Sequence, residues 1–293
     1  MKTIGMIGLG AMGNHVARHV LEAGFSMVLY DIRPEALTAL LEQGARAAAD
    51  TAELGRQADT VLLMVNSYAH CVTAMEGLLQ TMENGVIVLL STVSPEEAKA
   101  LEAMAAKKNC RILDCPVSGG TAGAKAGTLT LLVGGTEELR RECQPLLESF
   151  SGRVIPVGSR VGDGQAVKAI NQLLVGVHMC AASEAFNLAR QCGLDLQLVY
   201  DAICASAGTS RIFENRGPHY INRNFDTRST LQIQLKDTTI ACRTAEAVGA
   251  PTFMANMARE LFRLSLNRYP ATDDSLSVVR LYEDLCEETE EQQ

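Results

Sequence analysis

The 293-residue chain has no excess of positive charge: 26 Lys and Arg stand against 34 Asp and Glu, for a formal net charge of −8. Nucleic-acid and membrane-surface binders need a basic face, so neither is expected as a partner. The nine cysteines, at 71, 110, 115, 143, 180, 192, 204, 242 and 286, are odd in number and never spaced Cys-x-x-Cys. That argues against a disulfide framework or a cysteine zinc site and places the chain in a reducing cytoplasm. Histidines number five and lack a His-Glu-x-x-His spacing, so no metal is expected. Met1-Lys2-Thr3 runs straight into a strand pattern, unlike a signal peptide. The most apolar run, Leu173 to Ala182, is interrupted by His178, closed by Ser183-Glu184 and too short to span a bilayer.

What is present is globular: 47% hydrophobic and 20% charged residues, in a length that suggests two domains. Up to about residue 158, β-rich runs alternate with helical patterns. The expected strands are Thr3–Ile7, Met27–Tyr30, Thr60–Val65, Val86–Leu90, Arg111–Leu113, Leu129–Val133 and Val154–Val157. Between them, residues 12–23, 34–42, 95–107 and 136–150 read as helices. Apolar strands alternating with helices imply a mostly parallel sheet covered on both faces. Ser94, Pro95 and Glu97 have the chemistry of an N-cap, N1 proline and capping box. After Gly158 the pattern becomes wholly helical, with one long helix over 164–192 and further helices near 195–206, 230–248, 251–267 and 273–289. The long helix is apolar on most sides and needs cover on several faces, which suggests a homodimer or homotetramer. The acidic tail from Glu287 to Gln293 reads as frayed.

Four motifs carry chemistry. Gly8-Leu9-Gly10-Ala11-Met12-Gly13 follows the first strand and opens a helix. Gly8 permits a tight turn, Gly10 a close approach of pyrophosphate, and Gly13 close helix–strand packing, while the helix N-terminus faces the phosphates. Asp31 ends the next strand about 20 residues further on, placed to bond the ribose hydroxyls. It favours NAD, and neighbouring Arg33 leaves NADP possible. The plain alternative is a tight strand–helix turn with no ligand. Asp114-Cys115-Pro116-Val117-Ser118-Gly119-Gly120 sits at the carboxyl edge of the sheet. Its Ser-Gly-Gly turn suits a carboxylate, or is merely a glycine-rich connection. Gly162-x-Gly164-x-x-x-Lys168-x-x-Asn171 opens the long helix with Lys168 and Asn171 on one face. A lysine on an apolar helix is either a proton donor and acceptor with a pKa lowered by desolvation, or a snorkelling side chain. Lys236-Asp237-Thr238-Thr239 lies early in a later helix, and by itself reads equally as a solvated turn.

In this order and spacing, the four motifs resemble the β-hydroxyacid dehydrogenase family over nearly the whole chain. The resemblance implies a Rossmann-type α/β domain over residues 1–160, an all-α substrate and dimerisation domain over 161–293, and an active site in the cleft between them. It implies Lys168 as general acid/base, with Asn171 and the Ser118, Gly119 and Gly120 turn holding substrate. Lys236 would lie beside the nicotinamide, and Thr92, Met64 and Val65 would line the cofactor. The implied reaction is hydride transfer between NAD and a small hydroxy acid. Met64-Val65-Asn66-Ser67 departs from the Leu-Pro-x-Ser of many relatives, and Thr238 replaces the usual leucine after Lys-Asp. Phe213-Glu214-Asn215-Arg216-x-Pro218-His219, with Ser91-Thr92-Val93-Ser94-Pro95, looks more like the threonate dehydrogenase subgroup, although the first segment also reads as a helix-to-loop junction. A threonate-like polyol acid is therefore the expected substrate, with 3-hydroxyisobutyrate or tartronate semialdehyde as alternatives. A non-catalytic dinucleotide-binding scaffold is the reading from a different class, and intact Lys168 and Asn171 argue against it. His178 reads as a core histidine, and Arg211, Arg216 and Arg228 as surface ion-pair partners rather than substrate ligands.

Overall fold

The computed structural model describes residues 3–225 and 229–290, with side chains as far as residue 286. The chain divides into two compact units, residues 1–168 and 169–293, with the division falling inside one continuous helix.

The first unit is built on nine strands: β1 (Thr3–Ile7), β2 (Ser26–Tyr30), β3 (Arg46–Ala47), β4 (Thr60–Leu63), β5 (Val86–Leu89), β6 (Arg111–Asp114), β7 (Val117–Ser118), β8 (Leu129–Gly134) and β9 (Ser151–Gly158). Their spatial order is β3-β2-β1-β4-β5-β6-β8-β7, with β9 on β8. The ladder from β3 to β6 is parallel, β8 runs antiparallel to β6 and β7, and β9 is parallel to β8. The helices are α1 (Gly13–Glu22), α2 (Thr38–Leu41), α3 (Thr51–Gln57), α4 (Tyr68–Leu78), α5 (Pro95–Ala106), α6 (Gly120–Ala126) and α7 (Glu137–Ser149).

The strands alternate between two cores, because successive side chains point to opposite faces. Met27 and Leu29 join Leu62, Val86 and Val88 on one side, with α1 and α7. Val28 joins Val61, Leu63, Ile87 and Leu89 on the other, with α3, α4 and α5. Both faces are covered, so the central strands are apolar throughout. Register brings the strand ends level. Ile7 pairs with Tyr30 and Leu63, Leu63 with Leu89, and Leu89 with Asp114. The residues that follow these ends, Gly8, Asp31, Met64 and Leu90, therefore emerge along one carboxyl edge.

The second unit contains most of α8 (Asp163–Gln191), followed by α9 (Leu196–Cys204), α10 (Arg211–Ile221), α11 (Leu231–Ala247), α12 (Phe253–Arg268) and α13 (Val278–Glu290). Its core centres on Phe186, which stacks on Phe213 at 4.9 Å and lies 4.6 Å from Tyr220, with Met179, Phe262 and Val279 around them. Buried Glu283 accepts from Arg190 at 3.0 Å, Arg223 at 2.6 Å and the Tyr220 hydroxyl at 3.1 Å.

Several elements differ from the sequence reading. The helix expected over 34–42 is a 3-10 turn at Pro34–Leu37 followed by the single turn α2. Helices α3, α4, α6 and α10 and the two-residue strands β3 and β7 were not expected. Helix α10 includes Pro218 and Gly217, which mimic a junction; a Cβ on Gly217 would meet the Tyr200 ring at 2.5 Å, so the glycine serves packing. Strand β9 exposes much of its length, unlike the buried strands. The tail read as frayed from Glu287 continues α13 to Glu290, and residues 291–293 lie outside the described residues. Among the described residues no helix is long and apolar enough to cross a membrane.

Candidate active site

The glycine loop fits a dinucleotide. Gly8 adopts φ +95°, and a Cβ there would collide with the Met64 carbonyl oxygen. A Cβ on Gly13 would collide with the Gly8 carbonyl, so α1 starts tight against β1. By contrast nothing lies within 4 Å of a Cβ built on Gly10, which leaves the backbone open to an approaching phosphate. Helix α1 has no side-chain cap at Met12 and no acidic residue in its first turn, so its N-terminal dipole is not neutralised by its own residues. Leu9 is buried beneath the loop, while Ala11 is exposed.

Asp31 is hydrogen-bonded to the glycine loop. Its Oδ2 accepts the Leu9 N–H at 2.7 Å, and its Oδ1 accepts the Arg33 N–H at 2.9 Å and Nε at 3.2 Å. Burial works to raise its pKa, but the donors from Leu9 and Arg33 outweigh it and hold the carboxyl below the ordinary aspartate value. These bonds occupy three of about four lone-pair positions on the carboxylate. Only the Arg33 guanidinium, on an exposed side chain, can swing aside for a ribose hydroxyl. Ile32 beside it is 82% exposed. Met64 N donates to Ile7 O at 2.9 Å and Val65 N to Ser91 Oγ at 2.8 Å, which pins the turn after β4 to the turn carrying Thr92 after β5.

The Ser-Gly-Gly turn is a strand-to-helix corner. Ser118 ends β7, Gly119 caps α6 at φ +131°, and Gly120 begins the helix at φ +61° with open space at its Cβ position. Four residues before Ser118, Asp114 is fully buried and accepts the N–H groups of Gly162 at 2.9 Å and Gln165 at 3.1 Å on Oδ2. Its Oδ1 accepts Gln165 Nε2 at 2.8 Å. Burial raises its pKa to about 6, against the hydrogen bonds from Gln165, Gly162 and Gly164. Asp114 thus caps α8 from another strand, and the glycines of the third motif follow from it. Gly162 sits at φ +98°, and a Cβ on Gly164 would lie 2.5 Å from Leu132 O and 2.9 Å from Asp114 Oδ2. Lys168, one turn further along α8, is buried.

In the second unit a hydrogen-bonded chain joins the remaining motif residues. Asn171 Nδ2 donates to Gln172 Oε1 at 2.8 Å, and Gln172 Nε2 donates to Asp237 Oδ2 at 2.6 Å. The Lys236 ammonium lies 3.1 Å from Asp237 Oδ1. Thr238, which replaces the family's leucine, is buried and hydrogen-bonds Gln234 O at 2.9 Å; a Cβ on Gly176 would meet its hydroxyl at 2.9 Å. The substitution therefore sits at a close approach of α11 to α8. Arg216 is held by buried Asp274 at 3.4 Å, Arg211 is exposed, and His178 is half-buried on α8. Arg228 lies outside the described residues.

Sequence reasoning passed over Gln165 and Gln172, and quoted Asp114 and Asp237 without a role. The available signal was a polar residue closing an otherwise apolar strand, because a buried carboxylate needs dedicated donors.

A glycine loop at the carboxyl edge of a parallel sheet, with an acidic residue just after β2, is the arrangement of a dinucleotide-binding domain, and a separate helical unit follows it in the chain. Family models match both parts: the NAD-binding domain of 6-phosphogluconate dehydrogenase over residues 3–158, and the NAD-binding domain of NADP-dependent 3-hydroxyisobutyrate dehydrogenase over 162–282. L-threonate dehydrogenase of Cupriavidus necator is 36% identical over 285 residues, 96% of each chain. 2-(Hydroxymethyl)glutarate dehydrogenase of Eubacterium barkeri is 32% identical, over 96% of this chain and 95% of its own. The crystal structure of 3-hydroxyisobutyrate dehydrogenase from Salmonella typhimurium superposes with a TM-score of 0.88 at 33% identity, covering 96% of this chain and all of that one. The chain belongs to the β-hydroxyacid dehydrogenase family, whose members are NAD(P)-dependent oxidoreductases acting on hydroxy acids.

Proposed function

We propose that the chain transfers hydride reversibly between NAD and a small hydroxy acid, with L-threonate or a similar polyol acid as substrate. The supporting observation is the 36% identity with an L-threonate dehydrogenase over 96% of both chains. Residues 1–160 bind the dinucleotide through Gly8, Leu9, Gly10, Ala11, Met12, Gly13, Asp31, Met64, Val65 and Thr92. Residues 161–293 supply Asn171 for the substrate, Lys236 for the nicotinamide side, and the subunit contact.

Bound NAD supplies the hydride acceptor, and the chain supplies binding, orientation and proton transfer. Lys168, in its unprotonated form, takes the hydroxyl proton as the carbinol carbon becomes a carbonyl, and returns it in the reverse direction. It is a buried residue near the start of α8, so its position along the helix is set by the helix itself. Ser118, the bare N–H groups at Gly119 and Gly120, and Asn171 hold the carboxylate and hydroxyls. Asp31 favours NAD over NADP, since its carboxylate repels a 2′-phosphate.

The decisive experiment is NAD and NADP reduction by purified protein against L-threonate, D-glycerate, 3-hydroxyisobutyrate, 3-hydroxypropionate and L-serine, with semialdehydes in reverse. A highest kcat/KM for threonate supports the reading. A highest value for 3-hydroxyisobutyrate replaces it with the second reading, favoured by the TM-score of 0.88 to that dehydrogenase. NAD binding with no turnover of any acid refutes both and points to a scaffold.

The assembly we infer is a homodimer or homotetramer in a reducing cytoplasm. Ile170, Leu174 and Leu188 on α8 are 60%, 48% and 64% exposed, an apolar stripe that a second copy of the same helix would cover. A monomer by analytical ultracentrifugation at micromolar concentration would rule this out.

A further inference from the structure

The side chain of Gln165 has no role in the reading above, yet it is fully buried and each of its polar atoms is engaged. Oε1 accepts the Val93 N–H at 3.1 Å, and Nε2 donates to Ser91 O at 3.1 Å and to Asp114 Oδ1 at 2.8 Å. A carboxamide has one acceptor and two donor hydrogens, so this set fixes its orientation: turned over, its oxygen would face two acceptors. The three partners come from separate segments. Ser91 and Val93 flank Thr92 at the end of β5. Asp114 closes β6 just before the Ser118-Gly119-Gly120 turn. Gln165 itself precedes Lys168 by three residues on α8, which puts both side chains on the same face. Every one of these residues lies in the first compact unit.

We propose that Gln165 is a positioning residue: its carboxamide ties the ends of β5 and β6 to the start of α8, and so holds Lys168 at a fixed height relative to Thr92 and the Ser-Gly-Gly turn. The inference rests on the reading of Lys168 as general acid/base. Asp114 alone anchors the helix through backbone N–H groups at 162 and 165, but those bonds do not reach β5. Gln165 supplies that third point, and three non-collinear attachments remove the rotation about the helix axis that two would leave. A rotation of a few degrees at the helix start displaces the end of a lysine side chain by a large fraction of an ångström, and a misplacement of about 1 Å costs on the order of a hundredfold in rate.

The test uses the full chain, with NAD and the best acid from the substrate panel. Gln165→Leu keeps the volume and removes all three bonds. It is expected to lower kcat about a hundredfold and to shift the pH profile of kcat, with a much smaller change in NAD affinity. Gln165→Glu keeps the acceptor for Val93 and sets a carboxyl against Asp114, where only its protonated form restores a donor. Its activity relative to wild type should therefore rise as pH falls, which the leucine variant should not show. Wild-type kcat and pH profile in the leucine variant, at any melting temperature, overturn the inference. So does a loss confined to NAD affinity. If the leucine variant does not fold, a pH-independent activity ratio in the glutamate variant overturns it equally. Lys168→Ala is assayed alongside. If it turns over at the wild-type rate, the Lys168 reading fails; if its kcat falls by about 10²–10⁴ while both Gln165 variants behave as wild type, this inference alone fails.

Discussion

Asp114→Asn is the substitution whose outcome the structure specifies most closely, because two opposing terms depend differently on pH. The Asp114 carboxyl has no ion-pair partner among the described residues, and burial pushes its pKa up to about 6 in the fold, against 3.8 when exposed. At about 1.4 kcal/mol per pKa unit, keeping it ionised costs the folded state about 3 kcal/mol. The sign follows from proton binding: the folded chain holds this proton more tightly than the unfolded one. Below pH 3.8 both states are protonated and the cost vanishes. Between 3.8 and about 6 stability falls as pH rises, and above 6 the full cost applies. Asparagine abolishes the titration but loses a contact. Its Oδ1 can take the place of the oxygen that accepts Gly162 N and Gln165 N, leaving its Nδ2 against Gln165 Nε2. Two facing donors cost about 1–3 kcal/mol at any pH. At pH 4 the variant is therefore less stable than wild type by about 1–3 kcal/mol, and at pH 7 the two terms nearly offset. Urea unfolding of both proteins at half-unit steps from pH 4 to 7.5 isolates this group, since the other titrations cancel in the difference. A difference that stays flat across the series, or grows with rising pH, refutes the argument.

Three further outcomes follow from the site. Lys168→Ala should lower kcat by about 10²–10⁴, with NAD binding by calorimetry unchanged; retained turnover with lost NAD affinity would reassign Lys168 to the cofactor. Asp31→Ala should reduce the ratio of kcat/KM for NAD over NADP and, by releasing Leu9 N–H, also weaken NAD binding itself; an unchanged ratio counts against the ribose role. Gln172→Ala removes the donor on Asp237 and the acceptor on Asn171, so it should cost about 1–3 kcal/mol of stability and raise the KM for the acid. A wild-type KM in that variant would show that Asn171 does not depend on its neighbour.

What the sequence made legible was whatever is encoded locally. The glycines at 8, 10 and 13, the acid at 31 and the apolar strands between them each reflect a constraint on neighbouring backbone, so spacing alone marked the candidate dinucleotide loop and the parallel sheet. The capping box at Ser94 and Glu97 is of the same kind, and both of its bonds are present, at 2.7 and 3.1 Å. Helices α3, α4 and α10 were missed for a complementary reason. Their stability comes from tertiary cover rather than from a regular apolar stripe, and Gly217-Pro218 in α10 is a local signal to stop that packing on Tyr200 and Phe186 overrides.

The clamp on α8 was illegible because its meaning lies between motifs. Asp114 and the Gly162-x-Gly164 pair are separated by about fifty residues, and each motif read alone suggested its own role: a ligand carboxylate at the Ser-Gly-Gly turn, and a proton-transferring or snorkelling lysine on the long helix. In the structure they satisfy one another. Gly162 supplies the N–H that Asp114 needs, Gly164 leaves the space its carboxylate fills, and Gln165 completes the set by reaching β5. A motif that looks like a binding signature is here partly the means by which the fold buries a charge without a cation. That has a consequence for reading relatives. Gly164 should be retained whatever stands at 114, since a Cβ at 164 would lie 2.5 Å from the Leu132 carbonyl oxygen as well as 2.9 Å from Asp114 Oδ2.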